Sequence, residues 1–146
     1  MGFKNSGRQV QEYVYDFAVD GGVASANIDL SAKAGYDPLP IGAIVTGVTA
    51  KVITAVTGSS STVSWGHSAN PDGFSGTTIA EATLIAGYIE NGWKTANSDL
   101  WDDTNDVQKY HSVTTAALGS FVVLIGTANL TAGKIIFMVD YLQPSL

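Results

Sequence analysis

Cysteine is absent from the 146-residue chain, which excludes disulfides, thiol nucleophiles and thiolate metal sites. Long apolar runs are absent too. The longest, such as 121–125 and 135–139, fall far short of the roughly 20 residues that a membrane-spanning helix needs. Residues 1–8 are polar and basic without an apolar stretch, so the sequence predicts no signal peptide. We therefore expect no membrane partner.

Charge is scarce: charged residues make up 14% of the chain, against about 25% in ordinary soluble domains. Sixteen glycines and many Ser, Thr and Ala residues take their place. The net charge of −6 argues against nucleic-acid binding, which needs a basic face. A surface with so few charges suits a protein whose surface is covered by neighbours, and it equally suits a β domain rich in small residues.

Catalytic motifs are also missing. The two histidines are His67 and His111, and neither an HExxH nor a GxSxG pattern nor a phosphate-binding glycine loop occurs. His67 shares its strand parity with Trp65, so its side chain is expected to point inward near the strand end. We predict structural or interface histidines, no cofactor and no enzymatic activity.

Alternating apolar and polar residues predict an all-β chain. We expect strands over 10–19, 24–30, 43–56, 62–66 and 108–115. In the longest of these, Ile44 and Val48 are expected on one face, and Gly47 marks a bulge or bend. Residues 57–61 read as a polar hairpin loop. The segment 78–90 fits either a short helix or an irregular crossover.

The end of the chain carries the densest apolar pattern. Two strands flank the turn residues 129–133, and we predict that they form a hairpin at the centre of the core. In the last strand Ile135, Phe137, Val139 and Tyr141 share one face. The chain is thus predicted to be a single antiparallel β-sandwich of the jelly-roll type over 10–146, preceded by an N-terminal arm over 1–9.

The segment 97–106 is acidic and has no balancing cation. Carboxylate clusters bind hard cations such as Ca²⁺, but the spacing is not that of an EF-hand loop, so we expect a solvated loop and no metal. Leu100 and Trp101 within it fit either an exposed partner contact or packing onto the core. The weak metal candidates are four aspartates: Asp99, Asp102, Asp103 and Asp106.

Three stretches together resemble a known family. They are DLSAKAGY at 29–36 running into LPIGA at 39–43, then VSWGH at 63–67, and LTAGKI at 130–135. The chain resembles the small β-sandwich head-decoration or cement proteins of tailed bacteriophages over roughly 16–142. Four motif positions look like fold-keeping residues: Leu30, Pro40, Trp65 and Gly133. The acidic segment around Trp101 matches no family pattern.

The resemblance implies a structural virion protein without catalytic residues. Such a protein is made in the host bacterial cytoplasm, binds the exterior of the expanded capsid, and clamps neighbouring copies of the major capsid protein, often as a homotrimer. For this chain we expect partner contacts from the arm and the acidic segment, at Phe3, Lys4, Arg8, Val10, Leu100 and Trp101. The alternative function is a receptor- or glycan-binding module of a phage tail or fibre tip, reading sugars through Trp93 and Trp101.

Overall fold

The computed structural model describes residues 7–91, 98–102 and 107–144, without the side chains of 101–102 and 107–108. The strands in these ranges are β1 (Arg8–Asp16), β2 (Asn27–Asp29), β3 (Ile44–Gly58), β4 (Thr62–Gly66), β5 (Ile79–Ala80), β6 (Ile89–Asn91), β7 (Trp101–Asp102), β8 (Val107–Gln108), β9 (His111–Ser112), β10 (Val122–Gly126) and β11 (Leu130–Leu142). Two four-residue helices, α1 (Phe17–Asp20) and α2 (Ala116–Gly119), and 3₁₀ turns at Leu30–Ala32 and Glu81–Thr83 connect them.

The strands form a sandwich of two antiparallel sheets. The first sheet has the order β1-β11-β3-β6, with β9 also paired to β3, and the second has the order β2-β10-β4-β5. Strands β7 and β8 pair separately as a short ribbon. The prediction of an all-β antiparallel sandwich is confirmed. None of the helices in the described ranges is long and apolar enough to cross a membrane.

The core lies between the sheets and is filled by the faces that alternation predicts. Tyr13 and Tyr15 of β1 and Phe137 of β11 are fully buried, because every second side chain of a strand points to the same side. Each tyrosine keeps a hydrogen-bond partner: the Tyr13 hydroxyl donates to the Asp37 carbonyl and the Tyr15 hydroxyl to the Gly21 carbonyl, both at 2.7 Å. Burial raises the pKa of both phenols.

The predicted bulge at Gly47 is confirmed. Asp140 pairs with Gly47 but Tyr141 pairs with Val45, so the register of β3 against β11 shifts there. Because of this shift, the inward-pointing side chain is Val45 before the bulge and Val48 after it, and both are fully buried. The expectation that Ile44 shares the inner face with Val48 is wrong, because the extra residue reverses the alternation.

The predicted C-terminal hairpin is wrong. Strand β10 pairs with β2 and β4, whereas β11 pairs with β1 and β3, so the two strands lie in opposite sheets. The 57–61 hairpin is wrong for the same reason, since β3 and β4 also lie in different sheets. Both connections are arches between sheets, and each contains one residue with left-handed backbone, Ser60 (φ 64°) and Thr127 (φ 68°).

Several boundaries differ from the predictions. Strand β1 starts at Arg8, inside the predicted arm, and ends where the Asp16 side chain accepts a hydrogen bond from the Ala18 amide and begins α1. The predicted strand 108–115 is reduced to Gln108 at the end of β8 and the two residues of β9. The segment 78–90 is an irregular crossover with two short strands and a 3₁₀ turn, the second of the two predicted alternatives.

Candidate functional site

The outward side of the first sheet is called here the outer face. The pairing of its four strands shows which side chains lie next to one another on it. One row of side chains crosses all four strands in register: Val14, Ile136, Lys51 and Ile89. The next row consists of Glu12, Met138, Thr49 and Asn91. Val10 and Ile89 are each 59% exposed. The face therefore presents aliphatic side chains to its surroundings.

The strand residues of the outer face are electrically balanced although the whole chain carries −6. Two ion pairs hold most of the charge, Arg8 to Asp140 at 2.7 Å and Lys134 to Asp16 at 3.2 Å. The hydrogen bond from Lys134, followed by that from the Ala18 amide, lowers the pKa of Asp16. The charged side chains of this face are Arg8, Lys51, Lys134, Glu12, Asp16 and Asp140.

The residues predicted to contact a partner lie in different parts of the molecule. Arg8 and Val10 lie on the outer face, while Phe3 and Lys4 lie outside the described residues. The expectation that Leu100 is exposed is wrong: it is fully buried in the core, because an isolated aliphatic side chain gains from leaving water. The residue after it, Trp101, forms a backbone pair with Gln108 in the β7–β8 ribbon, but its side chain and Trp93 are outside the description.

A second candidate site joins both histidines to one aspartate, and we name His67, Asp99 and His111 the histidine cluster. His67 follows β4 in the second sheet, and His111 lies in β9 beside the start of β3 in the first. His67 Nε2 is 2.9 Å from Asp99 Oδ2. The two imidazole rings stack with centroids 4.6 Å apart and planes inclined by 25°. The buried Phe74 ring contacts both of them edge-on.

The cluster is buried on one side and open on the other. His67 is 3% exposed, whereas the Asp99 side chain is 32% exposed. Burial, reinforced by the neighbouring His67, lowers the pKa of His111, although Asp99 and a hydrogen bond to the Leu118 backbone act in the opposite direction. The lowered pKa favours the neutral form of the His111 imidazole, in which one ring nitrogen carries a free lone pair.

The Asp99 carboxylate is positioned by the turn that follows His67. The Asn70 amide Nδ2 donates to Asp99 Oδ2 at 3.3 Å, and the Asp99 amide donates to the Gly73 carbonyl at 2.6 Å. A side chain at Gly73 would collide with the Asp99 carboxylate, so glycine at this position permits the close approach.

Sequence reasoning predicted the inward direction of His67 correctly, and its burial confirms it. It missed the assembly of the cluster, because nothing in the chain spacing connects His67 with His111. Of the four weak metal candidates, Asp99 alone is shown beside the histidines. Asp102 pairs through its backbone with Val107, and Asp103 and Asp106 lie outside the described residues. The signal available in the sequence was the Trp65–His67 parity.

Comparison with known proteins gives a fold and no family. No protein-family model matches the chain, and no curated protein matches it. Among solved structures, a chain of the cyanophage Pam1 capsid asymmetric unit is similar over 99% of this chain and 91% of its own, with 20% identity and a TM-score of 0.60. A chain of the acidic stable capsid structure of Helicobacter pylori bacteriophage KHP30 covers 94% and 89%, with 18% identity and a TM-score of 0.45. The first of these likenesses shows a shared fold.

Proposed function

We propose that this protein is a structural, non-enzymatic virion component of a tailed bacteriophage, a decoration or cement protein bound to the outside of the expanded capsid. The observation that carries the proposal is the shared fold with a chain of a cyanophage capsid over 99% of the length. The family resemblance of the sequence motifs points in the same direction. Fold by itself does not specify function, so the argument also needs a surface.

The strand order supports a jelly-roll assignment. The last two long strands are inserted beside the first ones: β11 lies between β1 and β3, and β10 lies between β2 and β4. This nesting is the pattern of two Greek keys wound together, an architecture found in viral capsid domains as well as lectins and cupins. A capsid-associated role is therefore compatible with the architecture.

The outer face is the surface that we propose to contact the major capsid protein. Interface centres are poor in unpaired charge and rich in apolar side chains, and exposed apolar surface on one face commonly marks a binding site. Ile89 and Val10 meet the second condition, and the paired ions Arg8–Asp140 and Lys134–Asp16 meet the first.

The edge of the same sheet extends the proposed surface. Among the described strands, β1 pairs with β11 alone, so the other edge of its first half is available to a neighbouring strand. In its second half, Lys33 donates to the Val14 carbonyl and the Asp16 amide donates to Asp20. We propose that residues 1–7, with Phe3 and Lys4, also contact the capsid, and that Trp101 contributes a further contact. Three such surfaces on a homotrimer would raise one another's effective concentration, and binding to the assembled lattice alone would stabilise it by mass action.

Co-sedimentation with expanded capsids that have been stripped of this protein tests the proposal. We expect saturable binding and a higher rupture temperature of the capsid. Ile89→Lys replaces an exposed apolar side chain with a second cation beside Lys51 and is expected to weaken binding at least tenfold. Ile41→Lys is the matched control, because Ile41 is 66% exposed but lies in the loop before β3. Absence of binding by the unaltered protein would overturn the proposed role, and equal binding of both variants would overturn the proposed surface.

A further inference from the structure

We infer that the histidine cluster is a binding site for a transition-metal dication of the zinc class. His67, Asp99 and His111 each offer one ligand atom, and these three atoms all lie within 4.8 Å of one another. Two imidazole nitrogens and one carboxylate oxygen form a ligand set that zinc and its neighbours accept. The inference is independent of the proposed capsid role.

An unpaired buried ring nitrogen forms the second observation. Within the described residues, His111 Nε2 is buried and has no hydrogen-bond partner. Buried polar atoms are nearly always paired, so each exception requires an explanation such as a bound ion. The His67 ring, which stacks on that of His111, is almost completely buried.

The surroundings orient the His111 ring as a metal ligand requires. The Leu118 backbone acts on the pKa of His111 as a hydrogen-bonding neighbour, and Nε2 has no partner within the described residues. A neutral imidazole that donates from Nδ1 would present its Nε2 lone pair to an ion. Ligating histidines usually donate their second nitrogen to a carbonyl or carboxylate, which determines the tautomer and the ring orientation.

Distances and charge favour zinc over the harder cations. Zinc bonds of about 2.0–2.2 Å place ligand atoms of a tetrahedron about 3.4 Å apart. His67 Nε2 and Asp99 Oδ2 are 2.9 Å apart, which is already close to this value. His111 is therefore the ligand that would move toward the ion on binding. Ca²⁺ and Mg²⁺ prefer several oxygen ligands, and the cluster supplies one carboxylate. The exposed side of Asp99 gives the ion and completing water molecules access from solvent.

A bound ion would connect the two sheets, because His67 follows β4 of the second and His111 belongs to β9 of the first. A ligand that binds the folded state and not the unfolded one stabilises the fold in proportion to the logarithm of its concentration. Zinc is therefore expected to raise the melting temperature of this protein.

The test is a titration of the full chain, freed of metal with EDTA and dialysed, with ZnCl₂ by calorimetry and by thermal unfolding. We expect one zinc per chain, a melting temperature that rises with zinc concentration, and no comparable effect of CaCl₂ or MgCl₂. Co²⁺ in place of zinc should give the absorption spectrum of a tetrahedral site, a readout that requires no variant. Failure to bind zinc at millimolar concentration would overturn the inference.

Variants assign the ligands. Asp99→Asn and His111→Gln are expected to lower zinc affinity at least tenfold and to remove the thermal shift. The matched control is Asp37→Asn, which removes an exposed carboxylate from the loop before β3 and should bind zinc like the unaltered protein. Unchanged zinc affinity in both Asp99→Asn and His111→Gln would also overturn the inference. Because no capsid is used, this outcome is separate from that of the co-sedimentation experiment.

Discussion

The two ends of the sandwich differ in whether their polar groups have hydrogen-bond partners. At one end, called here the arch end, Glu81 accepts hydrogen bonds from the amides of Ser60 and Ser61 at 3.0 and 2.7 Å. The Ser61 hydroxyl donates to the Asn129 carbonyl at 3.0 Å, which joins the two arches. At the other end of β3 and β4, the histidine cluster leaves two buried nitrogens without partners among the described residues.

This difference separates polar groups that stabilise the fold from polar groups that are available to a ligand. A polar network that satisfies its own backbone groups stabilises the fold, because an unpaired buried donor is costly. Buried polar atoms that leave hydrogen bonds unmade contribute little to stability and are better explained by a ligand. The arch end therefore belongs to the fold, and the histidine end is the place to look for binding. Four predictions test this contrast.

The largest effect is expected from crowding the histidine end. In Gly66→Ala the new methyl group would collide with the Asn70 carbonyl and lie 2.6 Å from the Gly73 amide nitrogen. Backbone atoms cannot rotate away, so we expect a loss of about 3 kcal/mol. The control is Gly47→Ala, where the nearest atom is an Asp140 oxygen at 3.9 Å and the change should stay within about 1 kcal/mol. Urea unfolding measures both, and equal losses would contradict the crowding argument.

Removing the carboxylate at the arch end comes second. Glu81→Ala leaves the amides of Ser60 and Ser61 without their acceptor, and we expect a loss of about 2 kcal/mol. Glu12→Ala removes an exposed carboxylate from the outer face and should change the free energy of unfolding by no more than about 0.5 kcal/mol. The free energies of both variants are measured from the midpoints of denaturant unfolding, with the dependence of the free energy on denaturant concentration unchanged. A stable Glu81→Ala protein would mean that water replaces the carboxylate without loss.

The third prediction concerns the histidine end without metal. His111→Phe keeps the shape of the ring and removes its unpaired nitrogen together with its hydrogen bond to the Leu118 backbone, so in EDTA the free energy of unfolding should change by no more than about 1.5 kcal/mol. The same substitution should abolish zinc-dependent stabilisation. A loss as large as that of Glu81→Ala would show that His111 serves the fold, and the contrast between the ends would disappear.

The smallest expected effect is a change in the pKa of Asp16, which lies near the arch end. The pKa of Asp16 is expected below its ordinary value of 3.8, chiefly because Lys134 donates to it. A lowered pKa means that the pair stabilises the fold above this ordinary value and loses its effect as the pH falls through the lowered one. Carboxyl NMR should show the pKa rising in Lys134→Met and unchanged in Lys51→Met. Identical titrations in both variants would refute the pairing.

The particular residues show where sequence reasoning succeeds. Ile135, Phe137 and Val139 were placed on one face of the last strand, and all three are fully buried, because period-two alternation is a local property of each strand. Gly47 was recognised as a bulge because a glycine in the middle of a strand has few other uses. For Leu100 the pattern left open a partner contact or packing onto the core, because the polar residues around it concealed one buried side chain, and the contact that we then expected is wrong.

The sequence by itself determined the class of this protein: two layers of alternating strands, inward faces, a bulge, and the absence of thiol or motif-based chemistry. Only the tertiary structure decided that the last two strands lie in opposite sheets, because an apolar pattern specifies which face is buried and not which neighbour supplies the hydrogen bonds. The tertiary structure also decided the histidine cluster. Its three side chains come from separate segments, and their meeting depends on how the two sheets pack together.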